Sequence, residues 1–374
     1  MRHLFFSVLA TFVIAAGCSS GKKALKKGDY DKAVLQAVNR LRSDTDNENA
    51  TATLAKAYKF AIDGHKRKIN TQLASNDPYK WEKVMREYEA INLLHDEIQK
   101  CPACLNLIPA PQLAITELTE AKENAAEARY AMAQVALGNK NNRTQAITAH
   151  QHLQRVNQLY PGYKQTSELL DEALFYATLK VVVEPIPAPV RVLQLNQEFF
   201  NNKINEYLHR NSVNQYVRFY TPEEVQAENL DWIDHKIVMN FDQFSLGNVI
   251  SHTEVREVTR DSVLLDKEKK IYGTVKAELK THRKAIVGSG LLDFQILDAN
   301  LNKVISQEKF PSEYRWEIVW ATYNGDERAL SKEQLALVKS TELSIPAPQY
   351  MFEEFAAPLY DQAISKINNY YKNY

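Results

Sequence analysis

Glycine is scarce in this chain, at 11 of 374 residues, well under the usual share of about 7%. That scarcity favours long helices and speaks against the glycine-rich loops that cradle phosphates. Net charge is also missing, since 46 basic residues balance 46 acidic ones. A nucleic-acid binder would show a basic stripe and a high isoelectric point, so no nucleic-acid partner is expected. After residue 16 no stretch is long and apolar enough to span a bilayer. No set of polar residues converges in a pattern that supports catalysis. An enzyme is therefore not expected, nor a cofactor, nor a metal. What is present is ample core material, with 45% hydrophobic and 10% aromatic residues, and a length that suggests two or three domains.

The chain opens with Arg2-His3, an apolar run from Leu4 to Ala16, and Gly17. A short positive start, a greasy stretch and small residues at a cut site have the form of an export signal over residues 1–17. Ala15-Ala16-Gly17-Cys18 resembles the bacterial lipobox, with Ala15 where Leu is more common. The resemblance implies that Cys18 is the lipid-attachment residue, carries palmitate-type acyl chains and becomes the new N-terminus. One acyl chain anchors marginally, at about 0.8 kcal/mol per buried CH₂; the three chains of a bacterial lipoprotein would hold it permanently. Some lipoproteins are sent to the cell surface by acidic residues just after the Cys. Ser19-Ser20-Gly21-Lys22-Lys23 is the opposite, which implies an outer-membrane protein facing the periplasm. Lys22, Lys23, Lys26 and Lys27 either touch anionic head groups or form the solvated face of a first helix.

Residues 18–179 read as helix after helix, rich in Ala, Leu, Glu, Lys and Gln, with apolar residues recurring at three and four. Gly28-Asp29-Tyr30-Asp31-Lys32-Ala33 resembles the start of the second helix of a tetratricopeptide repeat, where the Tyr packs on the preceding helix and the Ala permits close contact. Leu54-Ala55 and Tyr58 resemble the first helix of the next repeat, and the Ala33-to-Leu54 spacing is the offset that a roughly 34-residue period predicts. A looser match runs from Ala126 to Tyr163, through Tyr130, Ala133, Leu137, Ala146, Leu153 and Val156. Between the two, Trp81, Val84, Tyr88, Ile91, Leu94 and Ile98 form an amphipathic stripe. An irregular helical bundle is the alternative. Either arrangement presents a groove and implies protein–protein interaction.

The pattern changes near Leu179, and residues 180–374 read as an α/β domain with a mixed, largely antiparallel sheet. The whole is thus α+β and multidomain. Strands are expected at 180–184, 213–220, 236–244, 249–259, 271–280, 291–297, 303–310 and 314–321. Asp298 to Asn302 reads as a hairpin turn. Helices are expected at 197–209, with Phe199 and Phe200 on one face, at 222–229, and at 350–373. Ile-Pro-Ala-Pro occurs at 108–111, 186–189 and 345–348. The last two read as matching strand-to-helix corners, and a PxxP ligand is the alternative. Gly290-Leu291-Leu292-Asp293-Phe294-Gln295-Ile296-Leu297-Asp298-Ala299 and Lys303-Val304-Ile305 resemble a periplasmic lipoprotein superfamily. It includes the curli-export channel, activators of penicillin-binding proteins and the first domain of the Tol-system propeller protein. Its members usually have Gly where Asn302 stands. The resemblance implies a binding module without catalytic residues.

Cys101-Pro102-Ala103-Cys104 is the one redox-looking motif. A thiol oxidoreductase sets its first Cys at a helix start just after a strand; here an amphipathic helix precedes, and Leu105 to Pro111 reads as a loop. In an oxidising periplasm Cys101 and Cys104 form a local disulfide; free thiols and redox or metal chemistry are the alternatives, with only His95 nearby as a further zinc ligand. His150 and His152 read as surface residues, and Ser289 as part of a strand-edge loop without nucleophile-elbow spacing. Glu223-Glu224 and Glu353-Glu354 read as helix-start carboxylates. Asp261-Ser262-Val263 resembles a short bacterial O-glycosylation motif. Tyr370, Tyr371 and Tyr374 either pack the last helix or anchor an interface.

These readings converge on a periplasm-facing outer-membrane lipoprotein. It would be a non-enzymatic scaffold or accessory subunit of an envelope assembly or secretion complex. Its partners would be the membrane, through the lipid, and protein components of that complex. The alternative is a regulator of peptidoglycan synthesis that binds a penicillin-binding protein or murein.

Overall fold

A computed structural model describes residues 19–187, 194–211 and 213–374. The export signal, Cys18 and part of the second Ile-Pro-Ala-Pro lie outside the described residues, as does the side chain of Phe199. The chain divides between Ala177 and Thr178 into two compact units.

The first unit is helical throughout: α1 (Lys22–Lys27), α2 (Tyr30–Ser43), α3 (Glu48–Leu73), α4 (Lys80–Gln99), α5 (Pro102–Leu107), α6 (Ile115–Leu137), α7 (Arg143–Leu159) and α8 (Thr166–Ala177). The starts are written in short polar side chains. Asp29 accepts from Lys32 N, Asn47 from Ala50 N, and Asn142 from Thr144 N and Gln145 N, which satisfies orphan N–H groups of the first turn. Gly28 ends α1 at φ 80°, a conformation open to glycine at no steric cost.

Neighbouring helices pack on one another in chain order. One core gathers Ala33, Val34, Ala37, Leu41, Leu54, Ala57 and Ile98; a second gathers Val84, Ile91, Ala125, Ala126, Tyr130, Leu153 and Val156. The buried face of α6 is largely alanine, which lets α7 approach closely. Tyr30 meets Phe60 of α3, ring centroids 5.2 Å apart, and packs against the core that also holds Ala24 of α1. The stretch after Cys104 is not a loop from Leu105. Pro102 starts a short helix that runs to Leu107, as a proline at the first helical position allows.

The second unit is a six-stranded mixed sheet with helices against it. Its elements are β1 (Leu179–Val183), α9 (Gln194–Arg210), β2 (Val217–Tyr220), α10 (Pro222–Ala227), β3 (His235–Leu246), β4 (Ile250–Asp266), β5 (Ile271–Asp298), β6 (Lys303–Gly325), a 3₁₀ turn (Glu327–Ala329), α11 (Lys332–Lys339) and α12 (Pro348–Tyr371). β1 runs parallel to β2 and β3; all other pairings are antiparallel.

β5 is the spine. β3 pairs its 288–298 half and β4 its 271–285 half, end to end along one edge, while β6 lines the other edge. The core lies between the sheet (Val181, Ile237, Met239, Leu292, Phe294, Ile296) and the helices α9 and α12 (Phe200, Ile204, Phe352, Phe355, Leu359, Ile367). A smaller core near the far end joins Val275, Ala277, Leu279 and Ala321 to Leu330 and, beside them, α11.

Three expectations need correction here. The pieces at 271–280 and 291–297 are one strand, and so are 303–310 and 314–321. Ser289 is therefore not in a loop. It sits within β5, where Gly290 makes room for a bulge in β3: a Cβ at Gly290 would stand 1.9 Å from Gln243 O. Pro311 likewise lies inside β6, opposite Leu291, with β6's other edge left outside the ladder, so the missing N–H breaks no pairing. The third Ile-Pro-Ala-Pro follows α11, not a strand, and places Pro348 at the start of α12.

Candidate functional site

A concavity of about 750 Å³ lies in the first unit, lined by α2, α3 and α4. His65 stands at its base, 3% exposed. With the ring protonated, Nε2 donates to Asp31 Oδ1 at 3.0 Å and Nδ1 donates to Glu87 Oε2 at 2.6 Å. Three helices are thus joined through one imidazole. The hydrogen bond that the ring donates to Asp31 raises the His65 pKa above its ordinary 6.5, against the opposing effect of burial, with help from Glu87. The same bond holds the Asp31 carboxyl below its ordinary value. Lys68 adds a contact to Glu87 Oε2 at 3.3 Å.

Around this clamp the lining carries cationic and aromatic side chains beside the carboxylate of Asp29. Arg67, Lys68, Lys83 and Arg86 face the cavity, as do Tyr30 and Phe60. Lys83 is paired with Asp77. Arg67 and Arg86 are exposed, and neither has an ion pair among the described residues. Phe60 is 45% exposed. A Cβ at Gly28 or Gly64 would meet nothing within 4 Å, so both glycines face open space. Both ring nitrogens of His65 are engaged by carboxylates, and the one lining hydroxyl on α3, Thr71, donates to Arg67 O. The arrangement offers cations and aromatic rings to an anionic, partly aromatic segment.

Sequence reasoning missed this site. Asp31 was visible only as part of the repeat-like motif. His65 and Glu87 sit on other helices, and no local spacing joins them. The one available signal was a histidine at a core position of α3.

The residues singled out from sequence are placed as follows. Cys101 and Cys104 are disulfide-bonded, Cα atoms 5.1 Å apart, and both are fully buried beside Leu41 and Ile98. His95 does not join them; its Nδ1 lies 3.0 Å from Pro111 O. His150 is not a surface residue: it is buried in α7, which lowers its pKa. His152 lies 3.0 Å from Arg129, beside a second polar cluster. There Glu82, 6% exposed, accepts from Arg129 Nε at 2.6 Å and Arg155 Nε at 3.0 Å. Burial works against its ionisation, but the two guanidiniums prevail and hold its pKa down.

Glu224 completes a capping box with Thr221, whereas Glu353 and Glu354 make no cap at the start of α12. Ser262 stands at a bulge of β4, at φ 59°. In the tyrosine tail, Tyr371 is fully buried, 3.2 Å from His235 Nδ1 through its hydroxyl. Tyr370 and Tyr374 stack on each other with centroids 5.7 Å apart. Among the described residues no group of three or more His, Cys, Asp or Glu is placed to hold a metal ion, and no helix is long and apolar enough to cross a membrane.

No family model matches the chain, and no curated protein matches it. The solved structures it is similar to include the following. A neuraminyllactose-binding hemagglutinin homolog from Helicobacter pylori is 9% identical, with 51% of this chain and 84% of that one covered, at a TM-score of 0.25. A hypothetical protein from Chlamydia trachomatis is 10% identical, with 52% and 98% covered, at 0.24. The MamA protein is 18% identical, with 42% and 83% covered, at 0.11. At such TM-scores these likenesses carry no conclusion about role.

Proposed function

We propose that this protein is a lipid-anchored, non-enzymatic docking subunit of an envelope assembly or secretion complex, and that the α2–α4 groove receives an acidic, aromatic-bearing segment of a protein partner. The observation that carries the reading is the lining of that groove. Arg67 and Arg86 are uncompensated cations at its wall, Tyr30 and Phe60 form an aromatic shelf beside them, and the buried His65 clamp fixes the floor. Charge of one sign at a rim steers association and selects partners of the other sign. Tetratricopeptide-like hairpins suit such a task, and the α/β unit is a second docking module. The membrane address rests on the apolar run Leu4 to Ala16 and on Cys18.

Two measurements test this. Cys18→Ala leaves a soluble, mislocalised protein; recovery of that variant in the membrane pellet overturns the anchor. Cross-linking in intact cells returns an envelope protein as neighbour, and the pair Arg67→Glu with Arg86→Glu lowers its yield about tenfold, a change of roughly 1.4 kcal/mol. An unchanged yield overturns the groove.

A further inference from the structure

We infer that β4 is a self-association edge: it pairs antiparallel with β4 of a second copy of this chain, centred on Val255. This goes beyond the groove reading and stands without it.

Among the described residues, β4 is hydrogen-bonded to β5 along one side only. Its other side carries a row of backbone N–H and C=O groups, which is a template for another strand. Ile250 to Glu257 are all exposed, and Ile250 and Val255 are 57% and 53% exposed. Two other edges of this sheet, those of β2 and β6, are blunted. β2 has 4 residues, and β6 carries Pro311 with its missing donor. β4 contains no proline and no glycine.

Geometry and charge then choose the occupant and the register. Successive residues of a strand turn their N–H and C=O groups to alternate sides. Two copies of one strand paired about a two-fold axis must therefore be centred on a residue, never between two. β4 runs without a bulge from Ile250 to Arg260, and its register shifts just after. There the Arg328 guanidinium covers Leu264 O at 2.8 Å. The midpoint of the regular stretch is Val255. Centring there sets Glu254 opposite Arg256 twice, Val255 opposite itself, and Thr253 opposite Glu257. No like charges meet. Centring on Glu254, Arg256 or Glu257 instead opposes that residue to its own copy, which destabilises a cross-strand pair. The charges that would keep a foreign strand off this edge are compensated when the incoming strand is β4 itself.

The test uses the full chain. Directly opposite residues lie about 4.5–5.5 Å apart between Cα atoms, within disulfide reach. Val255→Cys gives a covalent dimer on mild oxidation, well above the unsubstituted chain. Thr259→Cys, roughly 25 Å from its copy in this register, does not. Sedimentation of Arg256→Glu shows loss of the dimer, and the double change Glu254→Arg with Arg256→Glu restores it. Equal cross-linking at 255 and 259, none at 255, or a double variant as monomeric as the single one overturns the proposal. Because β4 and the groove share no residue, a failed groove test leaves these outcomes unaffected.

Discussion

At the scale of single residues, His65 ties three helices together through its protonated ring. Its folded-state pKa is raised above 6.5 by Asp31 and Glu87, so its contribution to stability is full below about pH 6.5 and is lost as pH climbs through the raised value. Asp31 acts oppositely. Its folded pKa lies under 3.8, so its contribution is full above that value and fades as pH falls through the lowered one. The groups facing the ring are Asp31 on α2 and Glu87 on α4, with Lys68 of its own helix against Glu87. Urea titrations of the chain should therefore show an alkaline decline in stability that His65→Gln flattens, with a loss of about 2 kcal/mol at pH 6 from removing a charged hydrogen-bonding group. None of this was legible beforehand, because a histidine at a helical core position reads the same whether its partners are two carboxylates or none. The adjacent positions were legible: Ala33, Leu54 and, in the α4 stripe, Val84, Ile91, Leu94 and Ile98 are buried as their spacing implies, while Trp81 and Tyr88 are half-buried.

At the scale of elements, helices announced themselves and long strands did not. Asn47, Asn142 and Gly28 mark helix limits chemically, and the periodic stripes of α4 and α12 do the rest. The strands β5 and β6 run for 28 and 23 residues, past the usual limit of about 10. Glycine and proline within them look like breaks. The reason lies across the sheet: Gly290 answers the bulge of β3, and Pro311 faces away from the ladder. Substituting Gly290 with Ala would force its Cβ into Gln243 O. The expected cost is about 3 kcal/mol, as for other overpacked sites, read as a lower urea midpoint for the second unit. Ser289→Ala, one residue away, changes the midpoint little. The Asp298–Asn302 turn was visible because its chemistry is local: Asp298 Oδ1 accepts from Asn300 N and Leu301 N.

For the molecule as a whole, the α+β layout was readable from composition alone, since alanine-rich helical periodicity gives way to β-branched runs near Leu179. Each core draws its residues from one unit: Val84, Ile91 and Leu153 in the first, Ile237, Phe294 and Phe355 in the second. The piece 178–374 should therefore fold by itself with a strong sheet signal in circular dichroism. Within it Phe355→Ala, which removes a fully buried ring packed on Phe241 and Phe244, should cost about 4 kcal/mol. A piece that stays unfolded would show that its core is insufficient. The groove was the least legible feature, because it is assembled from side chains on several helices and no short motif encodes it.

The central strand also sets a timetable. A chain leaving a ribosome or an export channel emerges from its N-terminus, and β3 and β4 emerge before the only strand that can seat them along their lengths. From His235 until Asp298 has appeared, β1 can take only the first residues of β3, the remaining amides of these two segments wait unclaimed, and apolar side chains such as Met239 and Phe241 are in view. The newborn polypeptide is most vulnerable to clumping in that interval, and an escort that binds extended segments would be needed then.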